Sequence, residues 1–175
     1  MKRTKMSNSQ INKAFEEASL QKDELVCKLG SFVMCDSLLF VSKETPDDWR
    51  ERIEKAVAEA NAVFKTSFVI TDKLEVPCSN LEQKKAFLRY FETCYDDKVA
   101  YIYLVATELR SVLVAVLAVE RKISLAEAFE LAFYEEICQQ KKWGLTEEAE
   151  SRQREIKNKL QELERAGYER GLFKD

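Results

Sequence analysis

The stretch SLAEAFELAFYEEICQQKKWG, residues 124 to 144, decides the fold class of this chain. Ser124, followed three residues later by Glu127, forms a capping box, which marks the start of a helix. Gly144 is a typical helix stop. The pattern therefore predicts one helix over 124–144. One face of it is marked, at steps of three and four residues, by Leu125, Phe129, Ala132, Glu136, Gln139 or Gln140, and Trp143.

Glu136 stands on this face where a large apolar side chain is expected. A carboxylate that is half-buried in an apolar face costs free energy unless it finds a partner. One interpretation is an ion pair with Arg110 on the preceding helix, because both residues lie about 13 positions from the turn of an antiparallel hairpin. The other is that Glu136 contacts a partner protein, with Phe133, Tyr134 and Trp143 as neighbouring contact surface. Core packing is the alternative for these aromatic residues.

The composition favours a single helical domain. The chain has 175 residues, of which 46% are hydrophobic and 34% charged, and it contains only 4 Gly and 2 Pro. Few turn-forming residues are typical of long helices and disfavour a turn-rich β fold. We therefore expect an all-α domain of about six helices over residues 9–175, after a disordered or frayed terminus at 1–8. A remnant of an organelle-targeting arm is the alternative for that basic terminus.

The remaining helices follow from caps and apolar periodicity. The run 31–43 is apolar apart from Asp36 and Ser37, so we expect Asp36 to be buried with a structural role. Extended segments near 67–77 predict at most a short β-hairpin-like excursion. The charged C-terminal helix, about 146–168, is interpreted as a solvated face, with a short coiled-coil contact as the alternative. The other helices are predicted at 8–32, with a stripe that ends at Phe32, at 79–95, where Ser79 and Glu82 form a capping box, and at about 99–122. A further helix is predicted at 45–65, where Thr45 can cap the first turn. Its inner face is marked by Trp49, Ile53, Ala56 or Val57, Ala60 and Phe64.

The sequence offers little for catalysis or for cofactor binding. It contains no histidine, which excludes Cys-His and Ser-His-Asp catalysis and every zinc site that needs histidine. Its four glycines fit no phosphate-binding loop. We therefore expect no enzymatic activity, no metal and no cofactor. The five cysteines, which include no CxxC pair, indicate a reducing compartment and are expected to pack in the core.

Binding to nucleic acid and insertion into a membrane are both disfavoured. The net charge is −3, and no basic patch is interleaved with aromatic residues, as nucleic-acid binding would require. The most apolar run, Val99 to Val119, contains Glu108 and Arg110, which a lipid-facing helix tolerates poorly. We expect a monomer.

Three blocks of the sequence resemble the C-terminal helical domain of the ATP-twelve family, the assembly chaperones of the ATP synthase alpha subunit. They are SFVMCDSLLFVSKE (31–44), SVLVAVLAVERKISLAEAF (111–129) and YEEICQQKKWGLTEEAE (134–150). The similarity spans about residues 24–150, and the last block is the most specific. The family also has an N-terminal, mostly β domain, for which this chain has no room.

The resemblance implies both a function and a set of partner-binding residues. The family is found in mitochondria and alpha-proteobacteria, where it holds the free alpha subunit until the alpha/beta hexamer forms. A cytoplasmic or, in a eukaryote, mitochondrial-matrix location is therefore expected. The glutamate that the family needs matches Glu136, and Gly144 completes the pattern. The residues expected to bind the partner are Glu135, Glu136, Gln139 and Trp143.

Some positions depart from the family pattern, and a second function stays open. Arg110 replaces a small residue, Arg121-Lys122 replaces a glycine, Cys138 replaces an aromatic residue and Ile53 replaces a tryptophan. The alternative function is a non-catalytic interaction or regulatory module of the same fold that binds another protein through its charged C-terminal helix.

Overall fold

A computed structural model of the chain describes residues 8–33, 35–73 and 81–173. Within them the protein is all-α, as predicted, with nine α-helices rather than about six. The number is higher because the predicted helices 8–32, 99–122 and 124–144 are each broken in two. The helices are α1 (Asn8–Ser19), α2 (Lys22–Val33), α3 (Asp47–Phe64), α4 (Leu81–Glu92), α5 (Asp96–Leu109), α6 (Val112–Val119), α7 (Leu125–Ala132), α8 (Tyr134–Trp143) and α9 (Glu147–Glu169), with a 3₁₀ helix at Ser37–Leu39.

Helices α5 and α6 form the centre of the domain. All eight residues of α6, VLVAVLAV, are buried, because a helix that is apolar on every side needs neighbours all round. It packs against α2, α3, α5 and α7, while α5 also contacts α1 and α9. In the part of the chain that the structure describes, no helix is both long and apolar enough to cross a membrane.

The central helix breaks at Arg110, where one continuous helix was predicted. Arg110 adopts a left-handed conformation with φ 56° and ends α5. Ser111 is extended, and its hydroxyl accepts a hydrogen bond from the Val114 amide, which caps α6. The polar pair therefore ends one helix and starts the next, which changes the direction of the chain between the two central helices.

Asp36 supports this break from 75 residues away along the chain. One carboxylate oxygen accepts from the Ser111 hydroxyl at 2.7 Å and from the Leu38 amide at 3.0 Å. The other accepts from the Val112 and Leu113 amides at 2.8 and 3.0 Å. A carboxylate at a helix N-terminus satisfies free amides and interacts favourably with the helix dipole. Burial raises the pKa of Asp36, and these hydrogen bonds oppose that increase.

The other end of α6 also carries a carboxylate. Glu120 accepts a hydrogen bond from the Tyr90 hydroxyl at 2.5 Å and one from the Lys98 ammonium at 2.6 Å. Burial alone would raise the pKa of Glu120, but the hydrogen bonds from Lys98 and Tyr90 outweigh it, so its pKa is lowered. Lys98 and Tyr90 therefore compensate for a negative charge at the unfavourable end of the helix.

Helix α9 packs on the core through one face and leaves its other face to solvent. Its buried residues all lie in the second half of the helix and face α1, α5 and α7. The first half, up to Lys159, has no buried residue. The predicted solvated face thus describes the outer side and the first half of the helix only. The buried positions are Leu160, Leu163, Ala166 and Gly167.

The N-terminal half of the chain fits its predicted pattern with three exceptions. Phe32 is 63% exposed, because the inner face of α2 continues through Val33 instead. The extended segment forms no hairpin in its described part, only one parallel bridge between Thr71 and Phe40. Pro46, not Thr45, occupies the N-cap of α3. The capping box at Ser79 lies outside the described residues. The inner face of α3 is confirmed at Trp49, Ile53, Ala56, Val57, Ala60 and Phe64.

The prediction of core cysteines is correct for only one of the described thiols. Cys94 is buried, and Cys138 is partly exposed. Cys27 is exposed on the outer face of α2, and Cys35 is exposed just after the C-terminal end of that helix. Cys78 lies outside the described residues.

Candidate partner-binding surface

Helix α8 carries the residues that the sequence singled out for partner binding. The predicted helix 124–144 breaks at Phe133, whose φ of −115° and ψ of 24° tilt α8 away from α7. The N-terminus of α7 follows the prediction, since the Ser124 hydroxyl accepts from the Glu127 amide at 3.1 Å. The break separates a well-buried helix, α7, from one in which Tyr134 is the only buried residue.

Tyr134 fixes the start of α8 on the domain. It is 5% exposed, and its ring lies 5.9 Å from the ring of Trp49. Its hydroxyl donates to the Phe40 carbonyl at 3.4 Å. Tyr134 is therefore core, as its alternative interpretation held, and the partner-facing surface begins after it.

Glu136, Gln139 and Trp143 lie on one face of α8, at steps of three and four residues. Gln139 is exposed, Glu136 is partly exposed, and Trp143 is 79% exposed. Glu135 is exposed next to this face. The four residues thus lie together at the surface. Trp143 therefore leaves a large apolar side chain at the surface of α8.

Gly144 ends α8 and directs the chain into α9. Its φ is 90°, a conformation that side chains rarely adopt, while an added Cβ would meet nothing within 4 Å. The glycine is therefore required by backbone conformation and not by lack of space. Its amide donates to the Gln140 carbonyl at 2.9 Å, which closes the last turn.

The ion pair between Glu136 and Arg110 that the sequence allowed is absent. Arg152, on the first half of α9, pairs with one oxygen of Glu136. The amide of Gln153 donates to the other oxygen at 3.3 Å. The hairpin that would have placed Arg110 opposite Glu136 does not form, because the chain breaks at both Arg110 and Phe133. Glu136 is held at the surface, with 32% of its side chain exposed.

Arg110 instead lies exposed at the end of α5. Within the described part of the chain, its side chain makes no hydrogen bond and no ion pair. It lines the same surface groove as Glu135 and Glu136, together with Phe133. Sequence reasoning placed Arg110 inside one continuous helix, whereas Arg110 ends α5 in a left-handed conformation.

Sequence reasoning also missed residues around the candidate surface. Arg152 and Gln153 belonged to a helix interpreted as solvated, and Phe32 was assigned to the core. No sequence pattern marks Arg152, because the helix carries many alternating charges. Among the described residues, no group of three or more His, Cys, Asp or Glu side chains could hold a metal ion.

These elements define a class: an all-α domain with a broken central helix pair and an exposed, mixed-charge helix at one end. The same fold is found in solved structures of Atp12 proteins. Atp12 from Paracoccus denitrificans matches with a TM-score of 0.78 and 18% sequence identity, over 88% of this chain and 67% of that one. A point mutant of the same protein gives the same values.

A third solved structure supports the same fold. The Atu1473 protein from Agrobacterium tumefaciens, for which a chaperone role has been suggested, has a TM-score of 0.75 and 18% identity, over 87% of this chain and 58% of that one. No protein-family profile and no curated protein sequence matches the chain. The predicted resemblance to the ATP-twelve family is confirmed at the level of the fold.

Proposed function

We propose that this domain is an assembly chaperone that binds the free alpha subunit of the ATP synthase catalytic head. It would cover the apolar interface of that subunit until the alpha/beta hexamer forms. The observation that carries the proposal is the match to Atp12 over 88% of this chain. The exposed face of α8 supports it, because the sequence block most similar to the family lies there.

The face of α8 has the properties of a docking site. Trp143 supplies a large, accessible apolar surface, and aromatic residues are enriched among the residues that dominate binding energy. Glu136 supplies a charge whose internal partner, Arg152, is itself 53% exposed. An exposed ion pair contributes at most about 1 kcal/mol. A basic group of a partner can therefore replace Arg152 at small cost.

Capture of purified alpha subunit by the immobilised domain tests the proposal. We expect wild-type capture, and we expect Glu136→Lys and Trp143→Ala each to weaken it by about tenfold or more. Glu16→Lys is the matched control, since Glu16 is exposed on α1, which packs against α2, α5 and α9. The far-ultraviolet circular dichroism signal should be the same for all four proteins.

Two outcomes would contradict the proposal. The first is that the wild type captures no alpha subunit under conditions in which Paracoccus denitrificans Atp12 does. The second is that Glu136→Lys and Glu16→Lys reduce capture equally, because binding would then depend on net charge and not on this face.

The alternative, binding through the charged C-terminal helix, makes a different prediction. The outer face of α9 carries Arg154, paired with Glu150 at 3.2 Å, and this pair is exposed. Arg154→Glu should abolish binding if that face is used and should leave capture unchanged if α8 is used. Removal of the whole helix is not informative, because it would expose core around Leu160 and Leu163.

A further inference from the structure

Two surface grooves meet beside the break between α5 and α6. The first has a volume of about 340 Å³ and is lined mainly by apolar residues, including Phe32 and Tyr103. The second, of about 450 Å³, runs past Phe133 to Glu135 and Glu136 on α8. Cys35 and Arg110 line both grooves. The first groove therefore continues the surface on which the proposed function depends.

The residue at the meeting point is conformationally strained. Arg110 has a φ of 56°, a region that costs a non-glycine residue on the order of 1 kcal/mol and that glycine adopts freely. Strain of this kind persists where the surrounding structure imposes it and is concentrated at functional sites. Here the strained residue lines both grooves, and its guanidinium has no hydrogen-bond or ion-pair partner in the described part of the chain.

The charges in the first groove point to one kind of ligand. Asp36 lies in its wall, but four hydrogen bonds from this chain already satisfy its carboxylate. The other charged residue of this groove is Arg110. Its hydrogen-bond donors remain available to a ligand. An apolar groove with one free guanidinium is complementary to a large apolar side chain that lies next to a carboxylate, which a guanidinium binds in a bidentate manner.

We infer that the groove between Phe32 and Arg110 binds a client segment in which an acidic residue adjoins a large apolar residue. The apolar side chain occupies the space between α2 and α5, and its neighbouring carboxylate pairs with Arg110. This inference rests on the proposed chaperone function and specifies the chemistry of the client segment. It also assigns opposite charges to the two ends of the docking surface, with Glu136 at the other end.

A pair of glycine variants tests the groove against a matched control. Arg110→Gly and Lys65→Gly each remove one exposed cation and relieve a left-handed backbone, since Lys65 has a φ of 57°. Lys65 ends α3 and lines neither groove. Both variants should melt at a higher temperature than the wild type. Arg110→Gly alone should weaken capture of the alpha subunit, by about tenfold.

Two short peptides separate failure of the groove from failure of the proposed function. N-acetyl-Leu-Glu amide and N-acetyl-Leu-Lys amide are titrated into ¹⁵N-labelled protein and followed by nuclear magnetic resonance. We expect the Leu-Glu peptide to shift the amide signals of Phe32, Cys35 and Ser111 at millimolar concentration and the Leu-Lys peptide to do so several-fold more weakly. Arg110→Gly should remove the difference.

The outcomes are distinct. If the wild type captures no alpha subunit but discriminates between the peptides, the chaperone proposal fails and the groove assignment stands. If Arg110→Gly captures the alpha subunit as well as the wild type does, the groove assignment is overturned. It is also overturned if capture is absent and the two peptides bind equally. A dimer that only Arg110→Gly abolishes would overturn it too, by assigning the groove to a second copy of the chain.

Discussion

Two acidic residues interrupt apolar segments of this chain, and their surroundings differ completely. Asp36 is 4% exposed and receives four hydrogen bonds from two segments of the same chain, at Leu38 and at 111–113. Glu136 is partly exposed and is held by Arg152 and Gln153 of a single surface helix. A polar residue in an apolar stripe is thus a structural element when the fold supplies every partner. Such a residue is available for binding when its partners within the fold are exposed and can be replaced.

The difference is one of cost. Removing one partner from a buried charge leaves an uncompensated group and costs several kcal/mol. Breaking an exposed ion pair costs at most about 1 kcal/mol, because water replaces the lost partner. The comparison therefore predicts that stability and binding respond to different residues, and the substitutions below test this expectation.

Asp36→Asn should have the largest effect. The amide offers one acceptor oxygen where the carboxylate offers two, and its NH₂ group would face backbone donors. We expect the free energy of unfolding to fall by about 2–4 kcal/mol, as measured by urea denaturation. Ser111→Ala, which removes one of the donors and a helix cap, should cost about 1 kcal/mol. A loss below that value for Asp36→Asn would mean that the α5–α6 junction does not depend on the carboxylate.

Glu120→Gln should have an intermediate effect that depends on pH. In the folded protein Glu120 loses its proton at a lower pH than in the unfolded chain, because Lys98 and Tyr90 favour its charged form. The unfolded chain therefore binds more protons between the two pKa values, and the stability that Glu120 provides rises with pH through that window.

The wild type should accordingly exceed Glu120→Gln by about 1 kcal/mol at neutral pH. That advantage is fully present above the ordinary pKa of 4.5 and is lost as the pH falls through the lower, folded value. Urea denaturation at a series of pH values measures it. An advantage that grows as the pH falls would contradict the assignment of Lys98 as the partner.

Arg110→Gly should stabilise the domain by about 1 kcal/mol, because glycine adopts the left-handed conformation without strain. Its greater conformational freedom in the unfolded chain reduces the gain. Thermal denaturation measures the change. A lower melting temperature would show that the Arg110 side chain contributes to folding, which its lack of partners among the described residues argues against.

Arg152→Ala should have the smallest effect on stability, within about 0.5 kcal/mol, because the ion pair is exposed. The same substitution should strengthen binding, although it lowers stability slightly. Without Arg152, a basic group of the client no longer has to displace an internal partner of Glu136. Capture of the alpha subunit should therefore strengthen by a few-fold. Arg154→Ala, which breaks an exposed pair within α9, is the control that should leave capture unchanged.

Local signals in the sequence were sufficient to predict the helices. The positions at which those helices break depend on long-range contacts. The inner face of α3 and the serine cap of α7 follow from spacing and residue type, and both are confirmed. The break at Arg110 could not be predicted in this way, because it depends on Asp36, a residue far away in the sequence. Likewise, Phe32 is exposed because α2 packs on the domain through Val33 instead, and this choice depends on the helices around α2.

The residues of the candidate site could be predicted from the sequence, but their contacts with other helices could not. Glu135, Glu136, Gln139 and Trp143 do lie together at the surface, because one helix face places them there. Their role in binding stays a prediction. The interpretation that paired Glu136 with Arg110 was wrong, because Glu136 pairs with Arg152. Pairing between helices depends on the angle at Phe133, for which the sequence carries no signal. The groove beside Arg110 needed the folded chain, because α2, α5 and α6 each contribute one wall.

The exposed thiol of Cys35 makes the occupancy of this surface directly measurable. Cys35 lines both grooves, whereas Cys27 is exposed on α2 and lines neither of them. A thiol-reactive dye should therefore modify both residues in the free protein, and a bound client should slow the reaction at Cys35 but not at Cys27. The ratio of the two rates reports binding in the wild-type chain, without a substitution.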